Sequence, residues 1–116
     1  MDKIVEQGLL YDFYGELLTG HQRKIYEHAV YDDMSLSEIA DEQGISKQGV
    51  HDLIKRCTKT LQSYEDRLHM IRRFEAIKES AEELKNISDK SVNMTNDEIR
   101  ENLSVISSRI LEELNS

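Results

Sequence analysis

The stretch LSEIADEQGISKQGVHDLIKR, residues 36–56, decides the fold. Two short helical patterns meet in it at Gly44. Leu36, Ile39 and Ala40 share one face of the first, and Val50, Leu53 and Ile54 share one face of the second, at the three- and four-residue spacing of amphipathic helices. Ala40 is small where two helices must approach closely. Gly44 suits the left-handed conformation that ends a helix sharply. Ile45 fills the corner, and Ser46 is placed to accept from the free N–H groups of the next helix. Met34 with Ile39, and Ile45 with Val50, flank the Ser35 and Ser46 caps as hydrophobic staples, while Glu38 completes a capping box with Ser35. These features predict a helix-turn-helix. That geometry also occurs in modules that bind no nucleic acid, so it bears more on fold than on ligand.

On the N-terminal side, residues 4–18 predict a first helix. Val5, Leu9, Phe13 and Leu17 recur every four residues, Leu10, Tyr14 and Leu18 broaden the stripe, and Tyr11 lies outside it. Thr19 with Gln22 forms another capping box, opening a second helix whose buried face is Ile25, Tyr26, Ala29 and Val30. Tyr31, Asp32 and Asp33 end it. The acidic pair has no third ligand nearby and reads as loop chemistry rather than a metal site.

Beyond the motif, Ile54, Cys57, Leu61, Tyr64, Leu68 and Ile71 form a heptad-like seam on one long helix. The phase then slips to Met70, Phe74, Ile77, Ala81 and Leu84, which marks either a bend or a separate helix. Residues 86–93, NISDKSVN, read as a loop. Thr95 with Glu98 forms a third capping box and Met94 with Ile99 a third staple, starting a last helix striped by Ile99, Leu103, Ile106, Ile110 and Leu114.

The class is therefore all-α: a helix-turn-helix domain with a long recognition helix and a C-terminal helical extension. The expected organisation is one helical domain over 1–116, with the motif core at 19–60 and a dimerisation arm at 61–116. Hydrophobic residues make up 38% and charged residues 33%, with no proline and no tryptophan; this suits a water-soluble helical protein. No run approaches a membrane span, and the start MDKIVEQ does not read as a signal peptide. The lone Cys57 excludes an intrachain disulfide and fits a reducing cytoplasm.

Net charge is −8, which argues against indiscriminate polyanion binding. Its distribution is uneven. Between residues 47 and 73, seven basic residues (Lys47, Lys55, Arg56, Lys59, Arg67, Arg72, Arg73) stand against Asp52, Glu65 and Asp66, so this part carries +4 and the remainder −12. The candidate nucleic-acid contacts are Ser46, Lys47, Gln48, His51, Lys55, Arg56 and Lys59. The first of these lie where a recognition helix enters the major groove, and Lys55, Arg56 and Lys59 lie where phosphates are touched. The plainer alternative is a solvated helix with intrahelical pairs such as Asp52 with Arg56. Asp52 in mid-face is unfavourable for DNA. The four histidines, His21, His28, His51 and His69, are dispersed, and no glycine-rich phosphate loop occurs. No catalytic cluster, metal site or cofactor is expected, and the chain reads as a non-enzyme.

Several stretches together, LLYDFYGELLT, YDDMSLSEIADEQGISKQGVHDLIKR, LQSYEDRLHM and RRFE, resemble the YlxM-type proteins of Gram-positive bacteria over roughly residues 9–75. Their helix-turn-helix is similar to region four of sigma factors. The family's motif residues fall on Ser46, Lys47, Gln48, Val50, Asp52, Ile54 and Arg56, with departures at His51, where a tyrosine is usual, and Leu53, where an asparagine is common. The resemblance implies a regulatory role beside the signal recognition particle, because the genes commonly adjoin those of its GTPase and receptor. The partners it implies are DNA or the particle's RNA, or, as the alternative, a particle component such as the GTPase bound as protein to protein. A homodimer is expected from the surplus of apolar stripes.

Overall fold

The computed structural model describes residues 3–115, and among them the regular elements are helices alone. The α-helices are α1 (Lys3–Tyr14), α2 (Gly20–Val30), α3 (Leu36–Gln43), α4 (Lys47–Leu68), α5 (Met70–Lys90) and α6 (Asn96–Asn115). Single 3₁₀ turns follow α1 (Gly15–Leu17) and α5 (Ser91–Asn93). The chain divides into two compact units, Met1–His69 and Met70–Ser116. The division falls inside the segment 61–116 expected as an arm and leaves the end of α4 with the motif.

In the first unit, α3 and α4 are the two limbs of the motif. Gly44 sits at φ 70, ψ 29, and the Ala40 carbonyl accepts from both Gly44 N (2.9 Å) and Ile45 N (3.2 Å). The left-handed residue thus satisfies the helix end while turning the chain. Around this corner Ile25, Ile39, Ala40 and Val50 are buried together, with Met34, Leu36, Ile45, Leu53 and Ile54 packed on them. Of the three predicted capping boxes, two form in full. Ser35 Oγ accepts from Glu38 N at 3.1 Å, and Thr19 Oγ1 from Gln22 N at 3.3 Å; each carboxyl or amide side chain accepts in return from the cap's own N–H.

Most of the seam on α4 is consumed within this unit, with Leu68 at its end left exposed. Cys57 and Leu61 are fully buried, Tyr14 of α1 lies 6.1 Å from Tyr64 ring to ring, and its hydroxyl donates to Glu65 Oε1 at 2.6 Å. Burial pushes the Cys57 thiol up, while the Arg56 charge pulls more weakly the other way, so the thiol is a packing group rather than a nucleophile.

Two expectations are corrected and one open alternative is resolved. First, α1 stops at Tyr14 instead of reaching Leu18; its buried residues are Leu10 and Tyr14, Leu18 beyond it is also buried, and Val5 and Leu17 are exposed. The chain passes into the 3₁₀ turn at Gly15, a residue of poor helix propensity, where a Cβ would stand 2.7 Å from the Tyr11 ring. Only glycine fits there, and Tyr11, expected outside the stripe, instead stacks on Tyr26 and donates to Glu27. Second, of the two readings of the phase slip, a bend or a separate helix, the structure has the separate helix. His69 takes φ 56 and its N–H closes on Glu65 O at 2.8 Å, after which α5 begins. Third, residues 86–90 are helical rather than loop. Lys85 pairs with Asp89 at 3.1 Å one turn on, and Ile87 joins the apolar side that meets α6, so packing outweighs the poor intrinsic propensity of asparagine, serine and aspartate.

In the second unit α5 and α6 form an antiparallel hairpin. Ile106 is its most buried residue, and Arg109 pairs with Glu83 at 2.8 Å. Thr95 caps α6 by accepting from Glu98 N at 3.1 Å, but its hydroxyl, not its backbone, meets the Glu98 carboxylate.

Candidate nucleic-acid interface

Gly49 N donates to Ser46 Oγ at 2.9 Å, which fixes the start of α4 and with it every outward position that follows. Ser46, the first candidate residue, is therefore engaged as a cap. Lys47, Gln48, His51, Lys55, Arg56 and Lys59 are all exposed. Their steps of one, three and four place them on one side of the helix over about 18 Å, at 1.5 Å per residue. The opposite side, Val50, Cys57 and Leu61, is buried. The surface is rigidly carried, since α2 and α3 pack on α4 from beneath through Ile25, Ile39 and Ala40.

Charge on this face is mixed at its centre. Gln48 Nε2 donates to Asp52 Oδ1 at 3.0 Å, and His51 Nδ1 lies 3.6 Å from the same oxygen. Asp52 thus turns back toward the helix start; the expected pair with Arg56 does not form, and that guanidinium stays toward solvent. Across residues 46–60, Lys47, Lys55, Arg56 and Lys59 against Asp52 leave a charge of +3.

A shallow depression formed by Leu36, Lys47, Gln48 and His51 opens beside the N-terminal turn of α4. On the flank of the next two turns α1 contributes Lys3 and Gln7, which are absent from the candidate set that the sequence pattern suggests. No local pattern signals them, because the contact that brings them there joins Gln7 to Thr58, fifty-one positions apart. Among the described residues no group of three or more His, Cys, Asp or Glu is placed to hold a metal ion. No described helix is long and apolar enough to cross a membrane.

Comparison with known proteins settles the kinship of this motif. Residues 1–104 match the family described as "Putative helix-turn-helix protein, YlxM / p13 like". The chain belongs to the YlxM / p13-like family. Among its relatives, a UPF0122 protein of Clostridium botulinum is 42% identical over 110 residues, covering 89% of this chain and 100% of the relative. One from Halalkalibacterium halodurans is 42% identical over 90 residues, 78% of this chain and 83% of its own. The UPF0122 protein YlxM of Bacillus subtilis is 37% identical over 91 residues, with 78% and 83% covered. The family match extends through α5 into the first half of α6, well past the segment 9–75 that carried the resemblance.

Proposed function

We propose that this protein is a regulatory nucleic-acid-binding protein that presents the 46–59 face of α4 to DNA or RNA. The observation that carries the reading is the unbroken exposure of Lys47, Gln48, His51, Lys55, Arg56 and Lys59 along a helix whose other side is locked into the motif core. Lys47 and Gln48 stand where base edges are read, and Lys55, Arg56 and Lys59 stand where phosphates are met. Action beside the signal recognition particle, with its RNA or its GTPase as partner in the cytoplasm, rests on the association implied by kinship with YlxM-type proteins.

A second reading is a protein-interaction module that keeps the scaffold without binding nucleic acid. The −8 charge and the engagement of Gln48 by Asp52 favour it. Binding to duplex DNA, to the particle's RNA and to the particle's GTPase alone, each over a range of salt, separates the two. Steep salt dependence on nucleic acid supports the first, and binding to the GTPase alone supports the second.

We also propose a homodimer built on α6. Leu103, Leu111 and Leu114 are exposed on this helix, with Ile110 half-buried beside them, although α6 already packs on α5. A row of that kind is stabilised by covering it.

A further inference from the structure

The groove between α1 and α4 is lined by Lys3, Gln7, His51, Ile54, Lys55, Thr58 and Lys59 and encloses about 370 Å³. Its floor is a closed polar network. Thr58 Oγ1 donates its one proton to the Ile54 carbonyl at 2.9 Å, so the contact at 2.9 Å with Tyr26 must have the tyrosine as donor, and Gln7 Nε2 donates to the same oxygen at 3.3 Å. With both lone pairs and the proton of Thr58 in use, the floor holds Gln7, and therefore the first turns of α1, against α4. The walls are cationic: three lysines and no carboxylate among the described lining residues. The comparably sized groove of the second unit differs, since Lys90 and Arg109 there face Glu83 and Glu101 and the charges balance. On a chain of net charge −8, a recess whose described lining holds three lysines and no carboxylate is a local exception.

We infer that Lys3 on α1, held beside α4 through Gln7 and Thr58, is a phosphate-backbone contact that extends the α4 face onto a second helix. This rests on the nucleic-acid reading above and adds a residue and a role to it. His51, Lys55 and Lys59 line the groove and also stand on the recognition face, so a strand whose bases meet Lys47 and Gln48 has its phosphates carried toward Lys3. The contact is electrostatic and reads no sequence. Lys3 therefore sets affinity and register, while the start of α4 sets preference.

The test uses the untagged full chain with duplex DNA and duplex RNA of mixed sequence, measuring the slope of log affinity against log salt. Lys3→Gln is expected to reduce the slope on duplex DNA by about 0.9, the share of one phosphate contact, without changing the ranking of sequences. Lys3→Arg is expected to keep the parent slope. A reduction confined to one duplex type supports the contact and identifies the ligand. If Lys3→Gln keeps the parent slope while Lys55→Gln lowers it, the α1 contact is overturned and the α4 reading stands. Equal reductions in Lys3→Gln and Lys3→Arg overturn a charge contact. A parent that binds neither duplex overturns both.

Discussion

Gln48 and Asp52 are joined across one turn of α4, the amide donating to the carboxylate at 3.0 Å. The residue best suited to reading adenine is thus held by the one acidic group on its face. Breaking the pair should release Gln48 and remove a charge that repels phosphate. Asp52→Ala, which removes both the acceptor and the charge, is expected to bind nucleic acid several-fold more tightly at low salt, with the gain shrinking as salt rises. Fluorescence anisotropy at two salt concentrations checks this. Unchanged or weaker binding would mean that Asp52 faces away from the ligand.

Lys47 and Gln48 should behave differently from Lys55 and Lys59. Alanine at either of the first pair is expected to flatten the preference between matched and mismatched sites, by roughly 1–3 kcal/mol for each well-formed hydrogen-bonded pairing with a base that it abolishes. Alanine at either of the second pair is expected to weaken all sequences alike and to lower the salt slope. Competition binding with a set of duplexes reads both effects. Four variants indistinguishable from the parent would remove the α4 face as the interface.

The turn makes a stability prediction independent of any ligand. Gly44 lies at φ 70, yet a Cβ there would meet nothing within 4 Å, so the cost of a side chain is conformational rather than steric. Left-handed backbone costs an ordinary residue about 1–2 kcal/mol, less for asparagine and more for a β-branched chain. Melting temperatures should therefore fall in the order parent, Gly44→Asn, Gly44→Ala, Gly44→Val. Ala40→Leu should also destabilise, by roughly 1–3 kcal/mol, because Ala40 is packed among Ile25, Ile39 and Val50. An unordered series at position 44 would contradict the turn geometry.

How much of this was legible in the sequence follows from the range of the interactions. Ser35, Gly44, Ser46 and Thr19 act within four residues of themselves, so their roles were written in local spacing. Leu10, Tyr14 and Leu18 were harder. The four-residue row Val5, Leu9, Phe13 and Leu17 has the better helical pattern, but the face that is buried is set by where α4 lies, and the α-helix gives way to a 3₁₀ turn at Gly15. The same reason hid Lys3, whose neighbours Lys55 and Lys59 come from half the chain away. The extent of α5 was missed because Ile87 gains its stabilisation from α6, which no propensity in NISDKSVN records.

Tyrosine ionisation predicts the response to alkali. Tyr31 is pushed up to about 12, first by partial burial and then by the hydrogen bond its hydroxyl donates to Asp12 and by that carboxylate's charge. An unfolded tyrosine titrates near 10. Between these values the unfolded chain holds fewer protons than the folded one, so stability falls as pH rises from 10 to 12 and is unaffected by this group below 10. Tyr26, raised mainly by burial, adds to the same trend. Urea midpoints measured across this range should fall less steeply for Tyr31→Phe than for the parent, and parallel curves would place the Tyr31 hydroxyl in free solvent.

Assembly is the last prediction, and the packing narrows where an interface can lie. The seam on α4 is largely closed off, because Cys57 and Leu61 are covered by the unit's own helices and Leu68 alone of its α4 residues is exposed. On α6, by contrast, Leu111 is 57% and Leu114 63% exposed, with Leu103 three turns before Leu114 on the same side. Fully burying such a side chain contributes roughly 1.5–3 kcal/mol, and covering the exposed part of each favours association of two copies. Two copies would also present two α4 faces, suited to half-sites one helical turn apart. Sedimentation equilibrium is expected to give a dimer for the full chain and a monomer for the double variant Leu111→Glu, Leu114→Glu, with helix content unchanged by circular dichroism. A parent that sediments as a monomer removes the dimer. A double variant that stays dimeric moves the interface off this row of α6.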